Sequence, residues 1–230
     1  MSAFLDTLLA APLPVIAEIK PHTADGLALV GDRTPAELVR SYEEAGAACL
    51  SVVTGRWFGG DPRLLRDVTS RCRLPVLQKD FIVTERHVAH AVELGASAVL
   101  LTATLLPAGA LATLVSAALR AGLTPFVEVV DEAQIAAVPH PDECVIAVNN
   151  KDIADRERGD ADLDRSATLL PAVLASGCLC PVSASGIEHP TQAAVLLDAG
   201  YRGVLVGTAL LRAASPAEWL RGVVPARVSR

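Results

Sequence analysis

Eight short apolar runs recur along this chain at a spacing of roughly 27 residues, and that period constrains the fold more than any other feature. They occupy residues 15–19, 49–53, 76–78, 98–101, 125–129, 144–148, 181–183 and 203–206. Continuous apolar runs of this length read as strands buried on both faces, as in a parallel sheet covered by helices. Between them lie stretches of helical period, such as Leu38, Val39, Tyr42 and Ala45. Thr34, Asp131 and Ser215 each stand three residues before Glu37, Gln134 and Glu218, the spacing of a helix amino-terminal cap. Gly46, Gly95, Gly122 and Gly200 each close a helix just before the next strand. Eight strand–helix units predict a single (β/α)8 TIM barrel, one α/β domain over residues 1–230, with a short helix over residues 1–11. A doubly wound sheet is the runner-up, but the first strand runs into Glu18-Ile-Lys-Pro21 rather than a glycine-rich dinucleotide turn. Residues 95–106 also align with 200–211, which would equate units four and eight of two half-barrels.

Composition narrows the function. A hydrophobic content of 51% supports a large core, and a net charge of −6 without a basic run argues against nucleic acid. The amino-terminal segment carries Asp6 and no basic region, so it does not read as a signal peptide. Residues 95–119 are uncharged but interrupted by Pro107 and Gly109, so no membrane span is expected. Five cysteines without paired spacing read as reduced thiols of a cytoplasmic protein, and His87, His90, His140 and His189 show no metal spacing. No metal and no cofactor are expected, and the chain is expected to be a monomer or weak homodimer.

In such a barrel the loops after the strands build the active site. Only three of the twenty basic residues are lysine, and Lys20, Lys79 and Lys151 all fall at strand carboxyl ends. A desolvated ammonium can give up its proton, whereas a guanidinium effectively cannot, so this placement points to acid, base or Schiff-base chemistry. Glu18 and Glu128 end apolar strands, where a carboxylate is costly unless paired. A structural ion pair with a neighbouring lysine is the plain alternative for each. Asn149, Asn150, Ser183 and Ser185 follow strands six and seven. Ser185-Gly-Ile187 and Val206-Gly-Thr208 each precede a helix, a pattern that can hold an anion on backbone N–H groups after strands seven and eight. His22 lies in the first loop. Trp57 and Phe58, beside Gly59-Gly60, suggest an apolar wall or a flap. Residues 151–160 read as a solvated loop.

The blocks Val15-Ile-Ala-Glu-Ile-Lys20, Leu50-Ser-Val-Val-Thr54, Pro75-Val-Leu-Gln-Lys-Asp-Phe-Ile-Val83, Phe126-Val-Glu-Val129, Asn149-Asn-Lys-Asp152, Ser185-Gly-Ile187 and Val204-Leu-Val-Gly207 occur in order. From about residue 12 to 215 the chain resembles indole-3-glycerol phosphate synthase. That resemblance implies a (β/α)8 barrel that closes the indole ring of 1-(2-carboxyphenylamino)-1-deoxyribulose 5-phosphate, releasing carbon dioxide and water without cofactor or metal. It matches Lys79 to a general acid on the ribulose carbonyl and Lys20 to a second active-site lysine, and it leaves open how ring closure and dehydration are divided between them. Glu128 matches the base of the dehydration and Glu18 a carboxylate that orients the lysines. Asn149, Lys151, Ser185 and Thr23 match substrate contacts, Gly186, Gly207 and Thr208 match phosphate contacts, and Phe58 and Phe81 are expected as further substrate contacts. Four differences stand out. The first loop reads His22-Thr-Ala-Asp-Gly26 in place of Ser-Pro-Ser, Ala184 replaces a glutamate, Lys151 stands where arginine is common, and the amino-terminal helical extension is short. A paralogue acting on another amino-ketose phosphate, a sugar-phosphate isomerase and a silent phosphate-binding barrel are the alternatives.

Overall fold

The computed structural model describes residues 3–152 and 161–224. Eight parallel strands close into one barrel in sequence order: β1 Val15–Ile19, β2 Cys49–Val53, β3 Val76–Lys79, β4 Ala98–Thr102, β5 Thr124–Val129, β6 Val145–Asn149, β7 Cys180–Ala184 and β8 Gly203–Val206. Among the described residues ten α-helices surround or cap it: α1 Ala3–Ala10, α2 Pro35–Ala45, α3 Pro62–Thr69, α4 Glu85–Glu93, α5 Ala108–Arg120, α6 Glu132–Ala136, α7 Leu163–Ala175, α8 Pro190–Ala199, α9 Thr208–Arg212 and α10 Pro216–Arg221. The expected helix over residues 1–11 is α1, with Met1 and Ser2 outside the described residues, as are residues 153–160 of the expected loop. No helix among the described residues is long and apolar enough to cross a membrane.

Three strands coincide with the apolar runs, and the others differ by one residue at one or both ends. The differences are informative. β3, β4 and β6 run one residue past the expected limit, into Lys79, Thr102 and Asn149. Each is polar, so an apolar pattern stops before it, yet each still pairs in the sheet, as in Val53↔Lys79, Thr102↔Glu128 and Asn149↔Ala184. The expected caps form: Thr34 Oγ1 accepts from Glu37 N while Glu37 Oε2 accepts from Thr34 N, and Asp131 and Ser215 accept from Gln134 N and Glu218 N. Gly46 closes α2 at φ 85°, a left-handed turn that glycine adopts without a Cβ clash.

Period-two alternation sorts each strand into two faces. Val15, Ala17, Ile19, Val204 and Val206 pack outward against the helices, while Ile16, Leu77, Leu100, Phe126, Val182 and Leu205 fill the interior. At the amino-terminal end α1 plugs the barrel with Phe4, Leu5 and Leu8, and the Phe4 ring meets Phe126 edge-on at 6.3 Å. The apolar stack stops short of the opposite end, where the inward positions become polar.

Candidate active site

β1 carries the pattern from apolar to polar in three steps. Ile16 is inside the apolar stack, Glu18 lies one inward position higher, and Lys20 is the next. The Glu18 carboxylate bridges two ammoniums, with Lys20 Nζ at 3.6 Å from Oε1 and Lys79 Nζ at 3.6 Å from Oε2. Ser51, paired with Glu18 across the sheet, donates its hydroxyl to Oε2 at 3.4 Å. All four are buried, so water screens these charges weakly. Tyr42 of α2 donates to the Glu18 carbonyl at 3.3 Å, and Lys20 Nζ stands 5.5 Å from the centre of the Phe58 ring. β8 supplies the other side of the carboxylate, since Gly207 has no Cβ to strike it.

The turn after Lys79 is fixed by its neighbours. Thr54 donates to Asp80 Oδ2 at 2.7 Å, Asp80 Oδ1 accepts from Phe81 N at 2.8 Å, and Gln78 Nε2 donates to Thr54 at 3.1 Å. Phe81 then meets Trp57 at 4.8 Å between ring centres, and Trp57 remains more than half exposed.

A cavity of about 650 Å³ opens over this end of the barrel, and Glu18, Lys20, Lys79, Thr23, Lys151, Ser185, Gly186, Gly207 and Thr208 all line it. A second, water-sized pocket of about 20 Å³ is lined by Phe58, Phe81, Leu100, Lys79 and Glu128. Lys79 therefore faces both spaces. Asn149 lines neither; it is fully buried, accepts from Lys151 N at 2.9 Å, and its Nδ2 has no hydrogen-bond partner among the described residues. Thr23 reaches the cavity, but its hydroxyl is turned to the Asp25 carboxylate inside a tight loop.

The turn after β7 is built on Asn150. Its Nδ2 donates to Ser183 Oγ, Ala184 O and Ser185 O at 3.0–3.1 Å, and its Oδ1 accepts from Ser166 at 2.7 Å. These bonds hold Ser185 at φ 68° and Gly186 at φ 74°. Ser185 is one of two non-glycine residues with positive φ among the described residues, a conformation that costs an L-residue about 1–2 kcal/mol.

The first-loop Asp25 lines the large cavity, as its place in the sequence suggests, and sequence reasoning missed four other contributors. Glu188, Arg212 and Trp219 line the large cavity, and Thr102 sits buried at the end of β4 with no partner for its hydroxyl among the described residues. The strand-end rule would have found Thr102, since it is the last residue of its strand.

The family model described as Indole-3-glycerol phosphate synthase matches residues 2–223. The chain belongs to the indole-3-glycerol phosphate synthase family. Its relatives include indole-3-glycerol phosphate synthase 2 of Streptomyces coelicolor, 37% identical over 92% of this chain and 81% of that protein. The indole-3-glycerol phosphate synthase of Pyrococcus furiosus is 36% identical over 94% and 93%. Among solved structures, 3-hexulose-6-phosphate synthase from Salmonella typhimurium superposes with a TM-score of 0.69 at 16% identity, covering 91% of this chain and 95% of that one. That likeness concerns the fold alone.

For a synthase-family barrel, the arrangement offers two buried ammoniums on one carboxylate and a second carboxylate across the interior. Protons can be given and taken on either side of Lys79, by Glu18 and Lys20 in the large cavity and by Glu128 in the small pocket.

Proposed function

We propose that this barrel converts 1-(2-carboxyphenylamino)-1-deoxyribulose 5-phosphate to indole-3-glycerol phosphate, carbon dioxide and water, as a carboxy-lyase of tryptophan biosynthesis. The observation that carries the reading is the position of Lys79, which lines both the large cavity and the small apolar pocket. The large cavity has room for the whole substrate, and one bound there with its aryl ring turned toward the small apolar pocket has its reacting carbons beside Nζ.

In this reading Lys79 donates a proton to the ribulose carbonyl oxygen as the aryl carbon bearing the carboxylate attacks the carbonyl carbon. The bond to the carboxylate then breaks, carbon dioxide leaves, and the electron pair returns to the ring. The new hydroxyl departs as water with a proton from an ammonium, while Glu128 takes a proton from the adjacent position of the five-membered ring. Glu18 holds both lysine side chains in place between turnovers. Lys151 serves as a substrate contact, with Asn149 behind it holding its main chain, Thr23 lies on the same wall, and Phe58 and Phe81 stand at the aryl end. Ser185, Gly186, Gly207 and Thr208 face the phosphate end. Every proton is routed through side chains of this chain, and no bound group is called on. The free state of all five cysteines supports a reducing, cytoplasmic setting, and a site drawn from one chain suits a monomer or weak homodimer forming one domain.

A different amino-ketose phosphate is the second reading. Ala184 favours it by placing a methyl group at an inward strand end, as does Asp25, which adds a carboxylate to the cavity. Mixing the protein with the carboxyphenylamino substrate and following indole fluorescence separates the two. We expect signal that is lost in Lys79→Met and Glu128→Gln while ligand still binds. Silence of the wild-type protein with ligand bound would move the assignment to the second reading.

A further inference from the structure

Four cationic side chains line the large cavity: Lys20, Lys79, Lys151 and Arg212. Lys20 and Lys79 are held on Glu18 at the floor. Arg212 differs in kind, being exposed at the mouth, with no hydrogen bond or ion pair of its guanidinium among the described residues. We propose that Arg212 is the residue that anchors and selects the phosphate of the substrate, a role that rests on the proposed function above.

The main chain beneath Arg212 is held at both ends. Arg33, in the loop after β1, donates Nη2 to Leu211 O at 2.9 Å and to Leu29 O at 2.5 Å, and Nε to Val30 O at 2.9 Å. Leu210 and Leu211 are buried, and at the start of α9 Gly207 packs on Glu18. Thr208 and Arg212 stand four residues apart in α9, so they share one face of the helix, and both line the cavity.

Charge favours a cation there in addition to Lys151. The first loop brings Asp25 into the cavity, and its Thr23 hydroxyl is already given to that carboxylate. Glu188 lines the same space. Two carboxylates repel a phosphate dianion, and the floor lysines are engaged with Glu18. A guanidinium stays charged at every working pH and presents two parallel N–H groups to two phosphate oxygens. Lysine at this position would keep the charge and lose the fork.

Calorimetric titration with inorganic phosphate, alongside turnover of the carboxyphenylamino substrate, tests the assignment. In Arg212→Met, phosphate affinity is expected to fall about tenfold, and kcat/KM to fall by a similar factor carried mainly by KM, since the phosphate does not react. Arg212→Lys is expected to fall between the two, and circular dichroism melting confirms that the variants fold. Phosphate binding in Arg212→Met equal to the wild type overturns the proposal, as does a wild-type protein that binds no phosphate. Should the wild-type protein fail to turn over the substrate while phosphate binding still depends on Arg212, the reaction assignment falls and the phosphate anchor stands. Turnover with phosphate binding indifferent to Arg212 keeps the reaction assignment and overturns the anchor.

Discussion

A Cβ built on Gly207 would lie 2.6 Å from Glu18 Oε1, too close for any side chain. Gly207 has φ −115°, which any residue adopts, so the requirement for glycine comes from the carboxylate rather than from the backbone. Gly207→Ala is therefore expected to push Glu18 off its two lysines and lower kcat about a hundredfold, with little loss of melting temperature. In a Glu18→Ala background the same substitution should add almost nothing. A double-mutant cycle on kcat/KM reads this directly, and full additivity would separate the two residues.

Removing the charge of Glu18 while keeping its shape tests the bridge itself. Glu18→Gln takes away the carboxylate shared by Lys20 and Lys79, and breaking a buried ion pair from one side costs about 3 kcal/mol. Urea denaturation should show that loss, and kcat should fall at least about tenfold because both lysine side chains lose the carboxylate that positions them. An unchanged kcat would mean that the lysines do not depend on Glu18.

How far the sequence carries can be seen at Lys79 and Arg212. The period of apolar runs locates every strand, because burial on both faces leaves an unbroken signal. Lys79 is legible because a polar residue ending such a run points to the barrel mouth. The strands nonetheless extend one residue beyond the runs at Lys79, Thr102 and Asn149, since inward polar residues continue the ladder after the apolar pattern has stopped. Arg212 is not legible. One of seventeen arginines, it is singled out by a helix that Arg33 ties down from 178 residues away, through bonds to main-chain carbonyls that leave no pattern in side-chain type. Thr23 illustrates the same limit, because only the folded loop turns its hydroxyl to Asp25.

The turn after β7 should reveal opposing effects at neighbouring residues. Asn150→Ala removes four hydrogen bonds from a largely buried cluster and leaves the hydroxyls of Ser166 and Ser183 only each other, at an expected cost of about 3 kcal/mol in urea denaturation. Ser185→Gly instead relieves a left-handed residue at φ 68° and is expected to stabilise the fold by about 1 kcal/mol while raising KM. Destabilisation by Ser185→Gly would show that the serine hydroxyl contributes more than its backbone conformation costs.

The plug at the closed end is expected to be purely structural. Phe4 is fully buried, meets Phe126 edge-on and lies far along the barrel from the lysines. Phe4→Ala should cost about 3–5 kcal/mol, from lost burial and the cavity left behind. The kcat of the protein that remains folded, measured below the melting transition, should stay within about twofold of wild type. A large fall in kcat would couple the plug to the site.

The buried thiols set the alkaline limit of the fold. Burial pushes Cys49 and Cys144 from the usual 9.0 up to about 12, and Cys72 to about 11. Burial likewise raises the Tyr201 phenol to about 12, against the opposing hydrogen bond with Ser166. Each raised value means that the unfolded chain gives up a proton at lower pH than the native one. Stability from these groups is thus intact below pH 9 and is lost as pH climbs from about 9 toward 12. Urea midpoints should be level between about pH 7 and 8.5 and fall steadily above pH 9. At pH 8 a disulfide reagent should label the native protein slowly and all five thiols promptly in urea, because the thiolate is the reacting form. Rapid native labelling of Cys49 would contradict its burial beside Phe4 in the plugged end of the barrel.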